Sequence, residues 1–302
     1  NLPAGVVGNI VSVVDYTNTF QTNALTIAPN GSEKIGGIAA ANTLSTEGQS
    51  VTFVYVDATE GWKNIQDSTS NVTGNPFIQA TGGTITTCGN CRIHTFTGPG
   101  TFTVSSVHPC AANNLVSHLV VAGGGGGGPG AGGGGGAGGY REVKSPVTPY
   151  TASPKDGYPS APNRVTVTAQ AYPIAVGAGG AVNSQGVDST FSTITSAKGG
   201  KGSCYTGGQP TMNGGSGGGA RSNAGGPAGS GNTPPVSPPQ GNSGGSTNPG
   251  GSPEQGGGGG GASGSGGNGS PGPSAGGTGT PTSITGSATA YAGGGGGGAN
   301  PP

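Results

Sequence analysis

Four cysteines are the first residues in this chain whose type and spacing suggest chemistry. They are Cys88, Cys91, Cys110 and Cys204. A zinc site needs a regular set of four ligands, and a redox C-x-x-C needs a thioredoxin-like βαβ context. The sequence has one C-x-x-C pair, with His94 and His108 nearby at irregular spacing, and no such context. If residues 88–91 form a hairpin turn, the turn ends lie within about 7 Å, a span that a disulfide can bridge.

Disulfides are therefore the expected role of these cysteines, with metal binding and free thiols as alternatives. An even cysteine number in a secreted chain favours this interpretation. If Cys88 pairs with Cys91, then Cys110 pairs with Cys204. The sequence leaves all three pairings of four cysteines open.

Phosphate-binding and catalytic signatures are weak. The glycine run after Val120-Val121-Ala122 satisfies G-x-G-x-x-G trivially, and no helix or acidic ribose partner follows it. Lys198 and Lys201 are each followed by glycine, so a Walker A motif is absent. No nucleophile elbow or HExxH motif occurs. The sequence predicts no cofactor, no metal and no enzymatic activity.

The composition bears on the partners of the protein. The 302 residues include 72 glycines and 25 prolines, and ten basic side chains balance ten acidic ones. Without a basic patch we expect no nucleic-acid partner, and without eighteen consecutive apolar residues we expect no membrane insertion. A net charge near zero removes self-repulsion and suits association with copies of the same chain.

Short strands are predicted from the N-terminus to Lys63. The runs 10–14, 25–27 and 50–56 are rich in β-branched and aromatic residues, and glycine-containing turns separate them. This pattern predicts an antiparallel β-sandwich or barrel over residues 1–75, with Trp62 closing its core.

A second β-rich region is expected over residues 76–198. The runs 84–86, 92–96 and 101–104 predict a three-stranded meander. The strands 118–122 and 172–176 then lead directly into glycine tracts. Glycine-tract insertions thus interrupt this region.

Residues 199–302 are glycine-rich and are typical in composition of a disordered linker. Ordering about a hundred residues costs on the order of 100–200 kcal/mol, which only extensive backbone pairing can offset. A polyglycine II helix projects its N–H and C=O groups outward towards neighbouring helices. We expect inner helices of this kind at the longest runs, which are Gly123 to Gly128, Gly132 to Gly136, Gly256 to Gly261 and Gly293 to Gly298.

The predicted fold class is therefore mainly β with essentially no α-helix, because no amphipathic helical period occurs. An N-terminal antiparallel β-sandwich or barrel (1–75) is followed by a β-meander region (76–198). Packed polyglycine II helices follow over residues 199–302.

Four segments carry a resemblance to known proteins: "LSTEGQSVTFVYVDATEGWK", "RIHTFTGPGTFTV", "LVVAGGGGGG" and "YPIAVGAGG". With them, most of the chain resembles glycine-rich proteins of phage tail fibres and of aquatic bacteria. In tail fibres the resemblance implies host-contacting adhesin tips with packed polyglycine II helices. In the bacterial proteins it implies a surface or extracellular location.

We expect an extracellular, homopolymeric fibril subunit with a surface or adhesive role. The chain ends at 299–302 without the apolar strand that often closes similar domains, and it has no coiled coil or trimerisation segment. The alternatives are a phage tail-fibre adhesin located on the virion tail and a glycan-binding module. The expected partners are copies of the chain itself, with a cell-surface receptor or a glycan as further candidates.

The N-terminal segment from Leu2 to Val14 is the predicted assembly strand, inserted into a neighbouring subunit. It is apolar on both faces, as expected of a strand buried on both sides. The apolar residues are Val6, Val7, Ile10, Val11, Val13 and Val14. The alternative is an ordinary first strand that pairs within its own domain.

Overall fold

The computed structural model describes residues 1–68, 78–89, 91–108, 110–204, 209–222, 227–247, 254–269 and 274–299. The chain forms two compact units, Asn1–Gly74 and Asn75–Pro302. The regions 76–198 and 199–302, expected as separate domains, lie in one unit. They do so because the glycine tract 123–139 hydrogen-bonds to backbone groups from residue 197 onward.

The first unit contains β1 (Ile10–Val14), β2 (Leu25–Ile27), β3 (Asn42–Leu44), β4 (Ser50–Asp57) and β5 (Gly61–Asp67). One antiparallel sheet has the order β1-β4-β5, and β2 pairs with β3 in a second. Residues alternate along β4, so Val51, Phe53 and Tyr55 point into the core. Ile27 of the second sheet joins the same cluster. The predicted antiparallel sandwich is confirmed, and neither sheet closes into a barrel.

Trp62 closes this core, as the sequence predicts. Its side chain is 0% exposed and meets the Tyr55 ring edge-on, at 5.5 Å between centroids and 70° between planes. Such a pair contributes about 0.5–1.5 kcal/mol beyond its area burial. The turn before it needs glycine, because Gly61 has a φ of 72° and a Cβ there would overlap the Lys34 carbonyl.

The described part of the second unit contains thirteen strands. They are β6 (Gln79–Thr81), β7 (Thr84–Cys88), β8 (Cys91–Thr95), β9 (Gly100–Ser106), β10 (Leu115–Val116), β11 (His118–Val121), β12 (Tyr140–Val143), β13 (Val165–Thr166), β14 (Ala171–Ala175), β15 (Ser189–Phe191), β16 (Ile194–Ser196), β17 (Thr280–Thr282) and β18 (Thr289–Tyr291). A five-stranded antiparallel sheet has the order β16-β15-β14-β9-β6, and the remaining strands form pairs β7-β8, β10-β13, β11-β12 and β17-β18.

The expected meander divides between two of these sheets. β7 and β8 form a hairpin, whereas β9 pairs with β6 and β14 instead of β8. The reason is burial: β9 turns Phe102 and Val104 into the core, while every residue of β7 is exposed. Phe102 lies edge-on to Phe191 of β15 at 6.1 Å.

Helices are short in the described part of the chain. It contains three 3-10 helices, Ala111–Asn114, Ala161–Asn163 and Gln209–Met212, and no α-helix. This agrees with the absence of a helical period in the sequence.

The glycine-rich part forms packed polyglycine II helices, as predicted. The run 256–261 lies at the centre, and its hydrogen bonds repeat every third residue, as a helix with three residues per turn requires. The N–H groups of residues 256–262 donate in turn to three segments, 292–298, 217–220 and 264–267, so that each segment receives every third bond. The run accepts from 134–137, 242–245 and 274–277. All six sides of this helix are therefore occupied by neighbouring segments, which bond through their backbone except for the Ser274 hydroxyl.

Glycine is required throughout this central run because neighbouring backbones approach closely. A Cβ built on any residue of 256–261 would overlap a backbone carbonyl oxygen of a neighbouring segment. Buried N–H and C=O groups must be paired, and here other segments pair them. The lattice of glycine helices thus replaces a side-chain core with backbone hydrogen bonds.

Candidate functional site

The predicted assembly strand lies in the sheet of its own unit. β1 pairs antiparallel with β4, with Ile10 opposite Val54 and Val14 opposite Ser50. This pairing is the one expected of an ordinary first strand. Insertion of the segment into a neighbouring subunit stays a prediction.

Only one face of this segment is covered in the single chain. Val11 and Val13 pack against the core. The other apolar residues, Val6, Val7, Ile10 and Val14, are between 63% and 72% exposed. Exposed apolar patches on soluble proteins commonly mark interaction surfaces. The second apolar face is therefore available to another molecule.

β1 is also an edge strand. The Tyr55 N–H donates to Asn9 O at 2.9 Å, and the Asp15 N–H donates to Gln49 O at 2.8 Å. Main-chain groups alternate in direction along a strand. The odd-numbered residues thus bond to β4, and the N–H groups of the even-numbered residues in 10–14 point away from it. An open edge of this kind is a template for a further strand.

Two residues ahead of β1, Leu2 and Gly5, are held against their own unit. Leu2 is 5% exposed in the core, and its N–H donates to Ala28 O at 2.8 Å. The Gly5 N–H donates to Glu33 Oε1 at 2.8 Å. A Cβ on Gly5 would overlap the Tyr55 ring. The N-terminal segment is thus anchored by the buried Leu2 side chain and by Gly5, a position that has no space for a Cβ atom.

The predicted glycine-helix residues occupy two kinds of position in the lattice. A Cβ would overlap neighbouring backbone at Gly123, Gly128, Gly132, Gly136, Gly256, Gly261 and Gly298. At Gly293 the nearest atom would be 3.9 Å away. The run 293–298, expected inside the bundle, therefore lies at its edge, because run length alone does not determine position.

The cysteines lie on hairpin, loop and interior positions. Cys88 and Cys91 are opposite each other at the end of the β7-β8 hairpin, as the turn prediction requires. Cys110 is exposed before the 3-10 helix Ala111–Asn114, whereas Cys204 is buried. No disulfide joins any of the four.

A buried carboxylate that the sequence did not single out links three segments of the second unit. Glu142 of β12 is 2% exposed. Its carboxylate accepts from the Tyr140 hydroxyl at 2.7 Å, the Ser153 N–H at 3.0 Å and the Thr282 hydroxyl at 2.5 Å. Burial and the adjoining carboxylate raise the pKa of Tyr140 far above its usual value. The scarcity of acidic side chains, ten in the whole chain, was the available signal.

A small cavity adjoins this carboxylate. Its volume is about 10 Å³, and His118, Arg141, Lys155 and Asn163 are among its lining residues. That space holds about one water molecule. Burial lowers the pKa of His118 to about 4, and His118 Nδ1 has no hydrogen-bond partner among the described residues. A cavity of this size has no room for an organic substrate, which favours a structural role for the cluster.

The described residues offer neither a cluster of metal ligands nor a membrane-spanning helix. They contain no group of three or more His, Cys, Asp or Glu side chains arranged to hold a metal ion. In the same part of the chain, no helix has the length and apolar character needed to cross a bilayer.

The two side-chain cores and the glycine lattice define a β-rich protein built partly on polyglycine II helices. Residues 95–302 match a family described as a glycine-rich domain. Because the match covers more than half of the chain, the protein belongs to this glycine-rich domain family. No curated protein and no solved structure matches the chain.

Proposed function

We propose that the protein is the structural subunit of a homopolymeric extracellular fibril, with a surface or adhesive role and no enzymatic activity. The observation that carries the proposal is β1, an open edge strand with exposed Ile10 and Val14 on its outer face. A strand edge and an apolar face at one place suit pairing with another copy of the chain.

Exchange of the N-terminal segment is the proposed assembly mechanism. Residues 1–14 leave their own unit and enter the same place in a neighbouring copy, where Leu2, Gly5 and β1 make the same contacts and the exposed Ile10 and Val14 pack against the donor copy. Such an exchange costs little because each lost contact is replaced by an identical one. A head-to-tail exchange that does not close produces a filament, with main-chain hydrogen bonds setting the register.

Deletion of residues 1–14 tests this mechanism. The truncated subunit should fail to polymerise, and it should bind a synthetic peptide of residues 1–14. A truncated subunit that forms filaments without the peptide would rule out strand exchange. Electron micrographs separate the classes of function, because uniform helical filaments support the fibril and trimeric fibres on virions support the tail-fibre adhesin.

Surface substitutions test the apolar face without disturbing the fold. Ile10→Lys with Val14→Lys should abolish filaments, since both side chains are exposed in the single chain. The matched control is Tyr16→Lys, at a side chain 91% exposed just beyond β1. If Tyr16→Lys abolished filaments to the same extent, the added charge alone would account for the loss. Unimpaired filaments in the double variant would remove this face from the assembly contact.

A disulfide between Cys88 and Cys91 forms part of the extracellular proposal. The two residues pair with each other at the end of the β7-β8 hairpin, and secreted proteins retain such bonds. The two thiols transfer two electrons and two protons to an external disulfide, which becomes a dithiol. Peptide mapping of the secreted protein without reductant should show residues 84–95 lighter by two hydrogens. Alkylated Cys88 and Cys91 would contradict this assignment.

A further inference from the structure

The glycine helix 132–138 differs from the central run 256–261 in the number of its neighbours. With Gly139, its N–H groups donate to 197–203 and to 257–260, each at every third residue. Its carbonyl groups accept from 216–219, 122–128 and 295–298. Five sides of this helix are therefore occupied among the described residues, whereas the central run has six.

The sixth side of helix 132–138 carries unused donors. The N–H groups of Gly132, Gly135 and Gly138 have no acceptor among the described residues. These residues are three apart, so their N–H groups point to one side of a three-residue helix. The flanking segments 122–128 and 295–298 both bond to this helix but share no hydrogen bond with each other. The unused donors therefore face a slot between the two flanking segments.

The walls of this slot contain glycines that the chain's own packing does not need. A Cβ on Gly124, Gly127 or Gly295 would meet its nearest atoms at 3.5, 3.6 and 3.4 Å, which are ordinary van der Waals contacts. All of those atoms belong to the helix at the floor of the slot. By contrast, a Cβ on Gly125 would overlap the carbonyl of Gly200. Side chains fit at the wall positions only while the slot holds no further backbone.

We propose that the slot binds the glycine helix 293–298 of a second copy, which completes the sixth side of helix 132–138. The inference rests on the proposed self-assembly and adds a lateral contact to it. Six residues at about 3.1 Å each span about 19 Å, the length of two turns. Only a segment without side chains on its walled faces can approach closely enough to accept from Gly135.

The edge segment 293–298 has the chemistry that this slot requires. Its outer residues Gly293 and Gly296 are exposed, and a Cβ there would meet its nearest atoms only at 3.9 and 3.5 Å. The same segment lines the slot of its own copy. A two-fold contact therefore lets each copy place this edge in the slot of the other, with both slots filled at once.

Paired alanine substitutions test the contact. Gly124→Ala with Gly127→Ala places two methyl groups in the slot, and Gly293→Ala with Gly296→Ala places two on the incoming edge. Each pair should leave the Tm of the monomer unchanged and abolish concentration-dependent dimers in sedimentation velocity runs. Gly98→Ala is the control, because a Cβ there has nothing within 4 Å. A marked fall in Tm would show that the positions are not open and would overturn the proposal.

Amide hydrogen exchange measured by NMR provides the second readout. In the monomer the amides of Gly132, Gly135 and Gly138 should exchange at least tenfold faster than that of Gly134. In the dimer they should slow to the same rate. Equal protection of Gly134 and Gly135 in the monomer would mean that the chain fills its own slot.

The outcomes separate this contact from the fibril itself. Dimers that are lost in both alanine pairs, without any filaments, would support the slot and reject the fibril. Filaments that form normally from both pairs, with the three amides still unprotected, would reject the slot and leave the fibril standing. Hexaglycine is the probe for specificity: protection of Gly135 by the peptide alone, without dimers at any concentration, would reject the second copy as occupant.

Discussion

The Trp62 indole N–H donates to Glu33 Oε2 at 3.2 Å, while Oε1 of the same carboxylate accepts the N–H of Gly5. One side chain thus connects the buried tryptophan of the first core with the N-terminal segment that we propose to exchange. Glu33→Ala should lower the free energy of unfolding by about 1–3 kcal/mol, because a buried N–H loses its partner. Urea titration followed by Trp62 fluorescence measures this change. Glu47→Ala, at an exposed turn residue, should leave the midpoint unaltered.

Substitution at the centre of the lattice should be far more damaging. Gly259→Val places a side chain where the Gly135 carbonyl lies, and the expected loss exceeds about 4 kcal/mol, as for severe core lesions. Thermal unfolding followed by circular dichroism gives the comparison with Gly98→Val, whose side chain enters open space. If the Gly259→Val protein were as stable as this control, the packing of neighbouring segments on all six sides of 256–261 would be disproved.

The Thr282 hydroxyl should contribute to the free energy of unfolding through its hydrogen bond to Glu142. Thr282→Val keeps the shape but removes a hydrogen bond to a buried carboxylate, and hydrogen bonds to charged groups contribute about 1.5–3 kcal/mol. Thr289→Val, at an exposed position on the partner strand β18, is the matched control. Equal midpoints for the two variants in urea would show that Glu142 does not depend on Thr282.

Acid should destabilise the second unit through His118. The pKa of its ring is lowered to about 4 by burial, from an ordinary value of about 6.5. Between these values the unfolded chain binds a proton that the folded chain excludes, so stability falls as the pH drops from about 6.5 to 4, by about 3 kcal/mol. The charged groups that act on this ring are Arg141, Glu142 and Asp156.

His118→Gln removes this titration. Urea midpoints measured from pH 7 to pH 4 should therefore fall less steeply for the variant than for the native protein. Parallel slopes for the two proteins would place the acid sensitivity elsewhere.

Sequence patterns predicted the strands better than their pairing. The run 50–56 alternates inward and outward residues, so β4 and its core could be recognised from one segment. The partner of β9 depends on which strands supply Tyr172 and Phe191 to the same core, and those residues are distant in sequence. A hairpin is encoded locally, whereas a five-stranded sheet is not.

The glycine lattice shows a different limit. Runs of glycine predict that backbones approach each other closely, and this prediction was confirmed for residues 256–261. They do not specify which segments meet, because a bare backbone accepts any other bare backbone. The edge position of 293–298 was missed for that reason. Glu142 was missed because its partners come from β12, the 153 loop and β17, which no local pattern connects.

The six-sided hydrogen bonding of residues 256–261 also affects the order in which parts of the protein fold. The partners of these residues extend from 134–137 to 292–298, so the central helix cannot complete its hydrogen bonds until nearly the whole second unit has been synthesised. Contacts between segments so distant in the chain form slowly, because long loops must close before any bond is gained. During synthesis, the N–H groups of residues 134 and 137 therefore have no acceptor until residues more than a hundred positions later have been added to the chain. The lattice is expected to be the last part of the protein to fold, and the nascent glycine tracts stay hydrated until the C-terminal run is released.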